Sequence, residues 1–132
     1  MALALGLTTA ACGNGTAPGQ KVTAPGPVTN LSVSATSIGD DFLSLSWTNP
    51  TGAYTGVMVR RSEGAKAPTL TSGTMVIDFN DQADYVVDPN LTPGTQYSYA
   101  FFAHNGNEYA PAATVTARTT GTRAKALAPP SR

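Results

Sequence analysis

The side chains able to do chemistry in this chain are few and scattered. Cys12 is the only cysteine and His104 the only histidine. A lone thiol excludes an intramolecular disulfide and a four-cysteine zinc site. His104 has no acid or nucleophile beside it in any recognisable motif, so it reads as a strand end at a loop and not as a general base. Asp78, Asn80, Asp81, Asp84 and Asp88 gather carboxylates in one short stretch, which raises calcium chemistry. Their spacing is not that of a calcium-binding EF-hand loop, which needs a Gly at its sharp turn and a Glu at its twelfth place. These carboxylates therefore read as a solvated acidic turn. Arg60-Arg61 is the only basic pair between Val28 and Thr119, and a solvated strand edge accounts for it.

There is no nucleophile elbow, phosphate-binding loop, dinucleotide fingerprint, metalloprotease helix or zinc pair. No catalytic residue, metal ligand or cofactor is therefore expected, and the chain does not read as an enzyme. An enzymatic reading would require His104 and the Asp78–Asp88 stretch to converge on a pocket.

Charge points the same way. The chain has 132 residues and no formal net charge. Between Val28 and Thr119, however, the bases Arg60, Arg61, Lys66 and Arg118 are outnumbered by Asp40, Asp41, Glu63, Asp78, Asp81, Asp84, Asp88 and Glu108. An acidic domain without a basic face is unsuited to neutralising phosphates, which argues against a nucleic-acid partner. No apolar run is long enough to span a bilayer as a stable helix.

The elements that must position these residues are strands. In Leu91-Thr92-Pro93-Gly94-Thr95-Gln96-Tyr97-Ser98-Tyr99-Ala100-Phe101-Phe102-Ala103 a Pro pre-sets φ and a Gly tolerates φ > 0, so the chain can reverse. Tyr97, Tyr99, Phe101 and Ala103 then recur at every second residue, the period of a strand. Leu43, Leu45 and Trp47 alternate in the same way with Ser44, Ser46 and Thr48, placing the first set inward and the second outward. Leu31, Val33 and Ala35 share a face in an earlier strand. Tyr54 to Ser62, Thr74 to Phe79, Tyr85 to Val87 and Thr114 to Thr119 supply the rest, with Asn105-Gly106 as a hairpin signal. No helix of ordinary length is visible.

Two of these segments resemble a known family. The pattern L-x-L-x-W-x-x-P from Leu43 to Pro50, and L-x-P-G-x-x-Y from Leu91 to Tyr97, resemble fibronectin type III domains. The resemblance implies an all-β fold, a seven-stranded immunoglobulin-like sandwich with three strands packed on four. It also implies that Trp47 forms the centre of the core, that Leu91 anchors the corner, and that the Tyr97 hydroxyl bonds back to the preceding connection. The domain is expected at residues 28–119, with a linker-like tail at 120–132.

The N-terminus carries a second resemblance. Residues 1–11, MALALGLTTAA, are short, apolar and rich in small side chains, and run directly into Cys12. An apolar core followed by Thr9-Ala10-Ala11-Cys12 resembles a bacterial lipoprotein signal, in which a peptidase cuts before a cysteine that carries lipid. No Lys or Arg precedes the apolar stretch, and an N-terminal segment with an idle cysteine is the alternative reading. Residues 12–27, rich in Gly, Pro, Thr and Ala, cannot bury a core and read as a flexible tether.

The sequence is therefore expected to encode a non-catalytic, extracytoplasmic binding or spacer module. On that reading it is a lipoprotein membrane-anchored through Cys12, or is secreted, and contacts a protein or polysaccharide of the cell envelope. The alternative is a carbohydrate-binding accessory module of a secreted polysaccharide-degrading enzyme, which would need exposed aromatics in a row. Tyr54, Tyr85 and Tyr109 are its candidates. The triplets Asn30-Leu31-Ser32 and Asn90-Leu91-Thr92 match the glycosylation pattern, read here as chance.

Overall fold

Alternating apolar and polar residues, punctuated by Gly, Pro and Asn, fold into strands that stack as two sheets. A computed structural model of the protein describes residues 21–121, apart from the side chains of residues 34–38. In chain order the strands are β1 (Thr29–Ile38), β2 (Leu43–Thr48), β3 (Gly56–Glu63), β4 (Thr74–Phe79), β5 (Tyr85–Asp88), β6 (Gln96–Asn105), β7 (Glu108–Tyr109) and β8 (Ala113–Arg118). There is no helix among the described residues. One sheet has the order β1-β2-β5; the other has β4-β3-β6, with β7 and β8 both on the far side of β6.

Sequence patterning anticipates seven strands, and the structure contains eight segments for a local reason. β7 and β8 pair consecutively with the same strand, His104 opposite Tyr109 and Phe101 opposite Ala113. Between them lies Pro111, which has no N–H to offer the ladder, and the register slips by one residue across the break. They are one interrupted strand position, so the sandwich remains three on four. The preceding hairpin also differs by one residue from the Asn-Gly reading. Its two loop residues are Gly106 and Asn107, and Gly106 takes φ +61°, consistent with glycine in the first place of a two-residue turn.

The core lies between the sheets. Leu43, Leu45, Val57, Val59, Tyr99 and Phe101 are essentially inaccessible, and Trp47, Leu91 and Tyr97 are also buried. The Trp47 ring lies 5.0 Å from the Phe101 ring and 6.2 Å from that of Phe79. Its polar edge is satisfied, since Nε1–H donates to Asn49 Oδ1 at 2.8 Å. The Asn49 amide in turn donates to the carbonyls of Gln82 and Ala83, so the tryptophan is tied through one side chain to the β4–β5 loop.

β6 is buried on both faces, more than its alternation implies. Met58, Ala100 and Phe102 form a second small apolar cluster on the outer face of their sheet, with Tyr109 packed against it. Ser44 is buried too, although it alternates with core residues. Met58, Ala100, Phe102 and Ser44 all sit on strands paired on each side, where same-face side chains of the neighbouring strands flank them. Gly56, at the start of β3, is required by close approach: a Cβ there would stand 1.7 Å from the Phe79 carbonyl oxygen.

Candidate functional site

The β5–β6 corner is cross-bonded to the segments around it: the Leu91 N–H donates to the Asp41 carbonyl and the Gly94 N–H to that of Thr120. Asn90 and Gly94 take left-handed φ of +62° and +66°, which lets the chain reverse over Leu91. The Thr92 N–H donates to the Tyr97 hydroxyl at 3.0 Å. Thr119, buried, donates from Oγ1 to the Thr92 carbonyl and accepts from the Thr95 N–H. Cys12 lies outside the described residues.

A second polar cluster spans the sheets. β3 carries Val57, Val59 and Arg61 on its inner face, so Arg61 points into the sandwich and is not part of a solvated basic edge. Its Nη1 donates to both carboxylate oxygens of Asp88 on β5, each at 2.8 Å, and its guanidinium lies 5.6 Å over the Tyr97 ring. The Tyr99 hydroxyl donates to Asp88 Oδ2, also at 2.8 Å. Asp88 is therefore buried and paired, in contrast to the solvated turn its sequence neighbours suggest. Burial, followed by the charge of Asp88, pushes the Tyr99 hydroxyl well above its ordinary range. Burial works against the charge of Arg61, but the hydrogen bond and charge of Asp88 outweigh it and hold the guanidinium more firmly protonated. Arg60 faces outward, donating to the carbonyls of Ser72 and Gly73.

His104 is not isolated. Its Nε2 lies 2.9 Å from Asp78 Oδ1, and its Nδ1 lies 3.1 Å from Thr55 Oγ1. The two partners are 26 and 49 residues away in sequence, so no local motif announces them; antiparallel pairing of β3 with both β4 and β6 brings them together. Acid, imidazole and hydroxyl in a row suggest a nucleophilic relay, but the hydroxyl is otherwise engaged. Thr55 Oγ1 accepts from the Gly106 N–H at 3.0 Å and stands 3.1 Å from the His104 carbonyl. The imidazole is buried, with the Tyr109 ring at 5.3 Å. The arrangement acts as a cross-link that pins the β6–β7 turn to the opposite strand ends.

A depression of about 290 Å³ lies elsewhere, lined by Gly26, Pro27, Thr29 and the stretch from Thr48 to Thr51. It contains no titratable group. Among the described residues no group of His, Cys, Asp and Glu is placed to hold a metal ion; Asp81 instead accepts from the Ala83 N–H, closing its own turn. The tyrosines do not form a row. Tyr85 alternates with buried Val86 on β5 and so faces out from the three-stranded sheet. Tyr109 packs on the outer cluster of the other sheet, and Tyr54 sits in the β2–β3 loop, its hydroxyl raised by burial and then by Asp81 and Asp84. Tyr85 and Tyr109 thus occupy opposite outer faces.

The model for the fibronectin type III domain matches residues 26–118. This chain belongs to the fibronectin type III family. Solved structures similar to this fibronectin type III domain share its fold at low identity. The FN1–FN3 domains of chicken CNTN1 align with a TM-score of 0.62 and 23% identity over 74% of this chain and 33% of that one. A two-domain fibronectin type III segment of chicken tenascin gives 0.60 and 21%, over 74% and 51%. A computationally redesigned β-sandwich protein gives 0.60 and 23%, over 71% and 94%. None of the curated proteins matches the sequence. Fibronectin type III domains are commonly binding or spacer modules and are generally non-catalytic.

Proposed function

We propose that this fibronectin type III domain is a non-catalytic module displayed outside the cytoplasm, carried at the cell envelope by lipid on Cys12. The observation that carries the non-catalytic part is the state of its chemical side chains. Asp88, Arg61 and Tyr99 satisfy one another, and Thr55, His104 and Asp78 are committed to cross-linking strands. Neither cluster shares a residue with the depression beside Pro27. A domain whose reactive groups are spent on its own architecture acts through its surface.

The anchor is supported by Cys12, the only cysteine, placed after Ala10-Ala11 and ahead of a Gly- and Pro-rich stretch. Such a tether would hold the domain clear of the membrane for contact with envelope protein or polysaccharide. Intact mass of the protein from a lipoprotein-competent bacterial host, compared with Cys12→Ala, tests the anchor. A wild-type chain beginning at Cys12 with added acyl mass, absent from the variant, supports it. An unprocessed and unmodified chain, with membrane association unchanged in Cys12→Ala, refutes it.

A further inference from the structure

An asparagine followed by glycine is open to attack by its own backbone, because the glycine has no Cβ to block the approach. The chain has two such pairs, Asn14-Gly15 and Asn105-Gly106, and the second lies within the described residues. Asn105 is the last residue of β6, and Gly106 opens the β6–β7 turn. Gly106 is exposed at φ +61°, and nothing lies within 4 Å of where its Cβ would stand. Solvent and base therefore reach the peptide between the two residues.

Both groups that would react are held by distant segments. The Asn105 amide donates from Nδ2 to the Thr23 carbonyl at 3.3 Å, and the Gly106 N–H donates to Thr55 Oγ1 at 3.0 Å. These partners are 82 and 51 residues away in sequence. The first contact draws the leaving amide toward the chain ahead of β1; the second aims the N–H at the β2–β3 connection. Thr55 is itself fixed, its hydroxyl 3.1 Å from both His104 Nδ1 and the His104 carbonyl. An N–H held in this way gives its proton to solvent base only when the turn opens, so the Thr55 hydroxyl sets how often attack can begin.

We infer that Asn105 is a modification site, converted spontaneously to isoaspartate and aspartate at a rate gated by Thr55. Solvent base takes the Gly106 amide proton, and the nitrogen attacks Asn105 Cγ. The N–Cγ bond forms, the Cγ–Nδ2 bond breaks, and the side-chain nitrogen leaves as ammonia with a proton from water. Water then opens the cyclic imide. Cleavage at the main-chain carbonyl leaves isoaspartate, cleavage at Cγ leaves aspartate, and nothing is oxidised or reduced. Either product sets a carboxylate opposite Glu108, the ladder partner of Asn105, and like charges directly opposite destabilise the pair. Isoaspartate also adds a methylene to the main chain, for which a two-residue turn has no slack. Both products lose the donor to the Thr23 carbonyl. The conversion is thus a one-way loosening of the hairpin that Thr55 and His104 pin, at the point where the N-terminal segment meets it.

Peptide-mapped mass spectrometry of the full chain, held at mildly alkaline pH, tests the inference. Fragmentation that tells isoaspartate from aspartate reads the product, mapping separates Asn105 from Asn14, and the same chain in urea supplies the ungated rate. The expected result is conversion at Asn105 in the native protein, at least about tenfold slower than in urea. Thr55→Val, which removes the acceptor, should raise the native rate toward that in urea, whereas Thr55→Ser, which keeps it, should not. The comparison of native with urea-unfolded wild type decides alone should Thr55→Val fail to fold. No conversion at Asn105 in the native protein, a native rate equal to that in urea, or a Thr55→Val rate equal to that of wild type overturns the inference. None of these outcomes depends on whether Cys12 carries lipid.

Discussion

Arg61 on β3 and Asp88 on β5 meet across the interior, with Nη1 2.8 Å from each carboxylate oxygen, so an ion pair joins one sheet to the other. Both charges are largely out of water. Their geometry, together with the Tyr99 hydroxyl on Asp88, is what makes that burial tolerable.

Breaking the pair from one side should therefore cost more than removing it whole. Asp88→Ala leaves a guanidinium partly buried without its acceptor and is expected to destabilise by about 3–5 kcal/mol. Arg61→Met combined with Asp88→Leu and Tyr99→Phe should recover most of that loss, because no unpaired polar group remains. Urea unfolding of the two proteins, read by tryptophan fluorescence, decides; equal losses would contradict the argument.

Tyr99 predicts alkaline sensitivity. Its hydroxyl is held above the ordinary value of 10.0 in the fold, so above about pH 10 the unfolded chain releases this proton while the folded chain keeps it. Stability from Tyr99 is fully present below that pH and falls as pH rises further. Urea melts at pH 8 and about pH 11 should show a smaller loss for Tyr99→Phe than for wild type.

At the corner, Tyr97→Phe keeps the ring under Arg61 but removes the acceptor for the Thr92 N–H. A loss of about 1 kcal/mol is expected, with faster amide exchange at Thr92. Unchanged exchange at that amide would mean the bond does not hold the turn.

Gly56→Ala sets a methyl group against the Phe79 carbonyl and must push β3 away from β4. The expected cost is about 3 kcal/mol, at the upper end for overpacking. Gly26→Ala is the control, since nothing lies within 4 Å of its added Cβ, and thermal unfolding of the two variants separates the cases.

Much of this fold is legible in the residue order, because strand formation is a local matter. The every-second-residue recurrence of Leu43, Leu45 and Trp47, and of Tyr97, Tyr99 and Phe101, assigns both period and face without reference to any partner strand. The Pro93-Gly94 turn and the position of Tyr97 make the corner readable in the same way. The eighth segment is less legible: Glu108–Tyr109 is too short to show a period, and only its pairing with β6 defines it.

The polar clusters belong to the tertiary structure alone. Arg61 follows Arg60 and looks like half of a basic pair, yet alternation sends one to solvent and the other to a carboxylate 27 residues away. His104 looks solitary until strand pairing sets Asp78 on one nitrogen and Thr55 on the other. Side-chain period depends on a residue's own neighbours, so the sequence by itself determined the strands, their inward faces and the turn chemistry between them. Which polar groups meet depends on the register between strands far apart in the chain, and only the packed sandwich decides that.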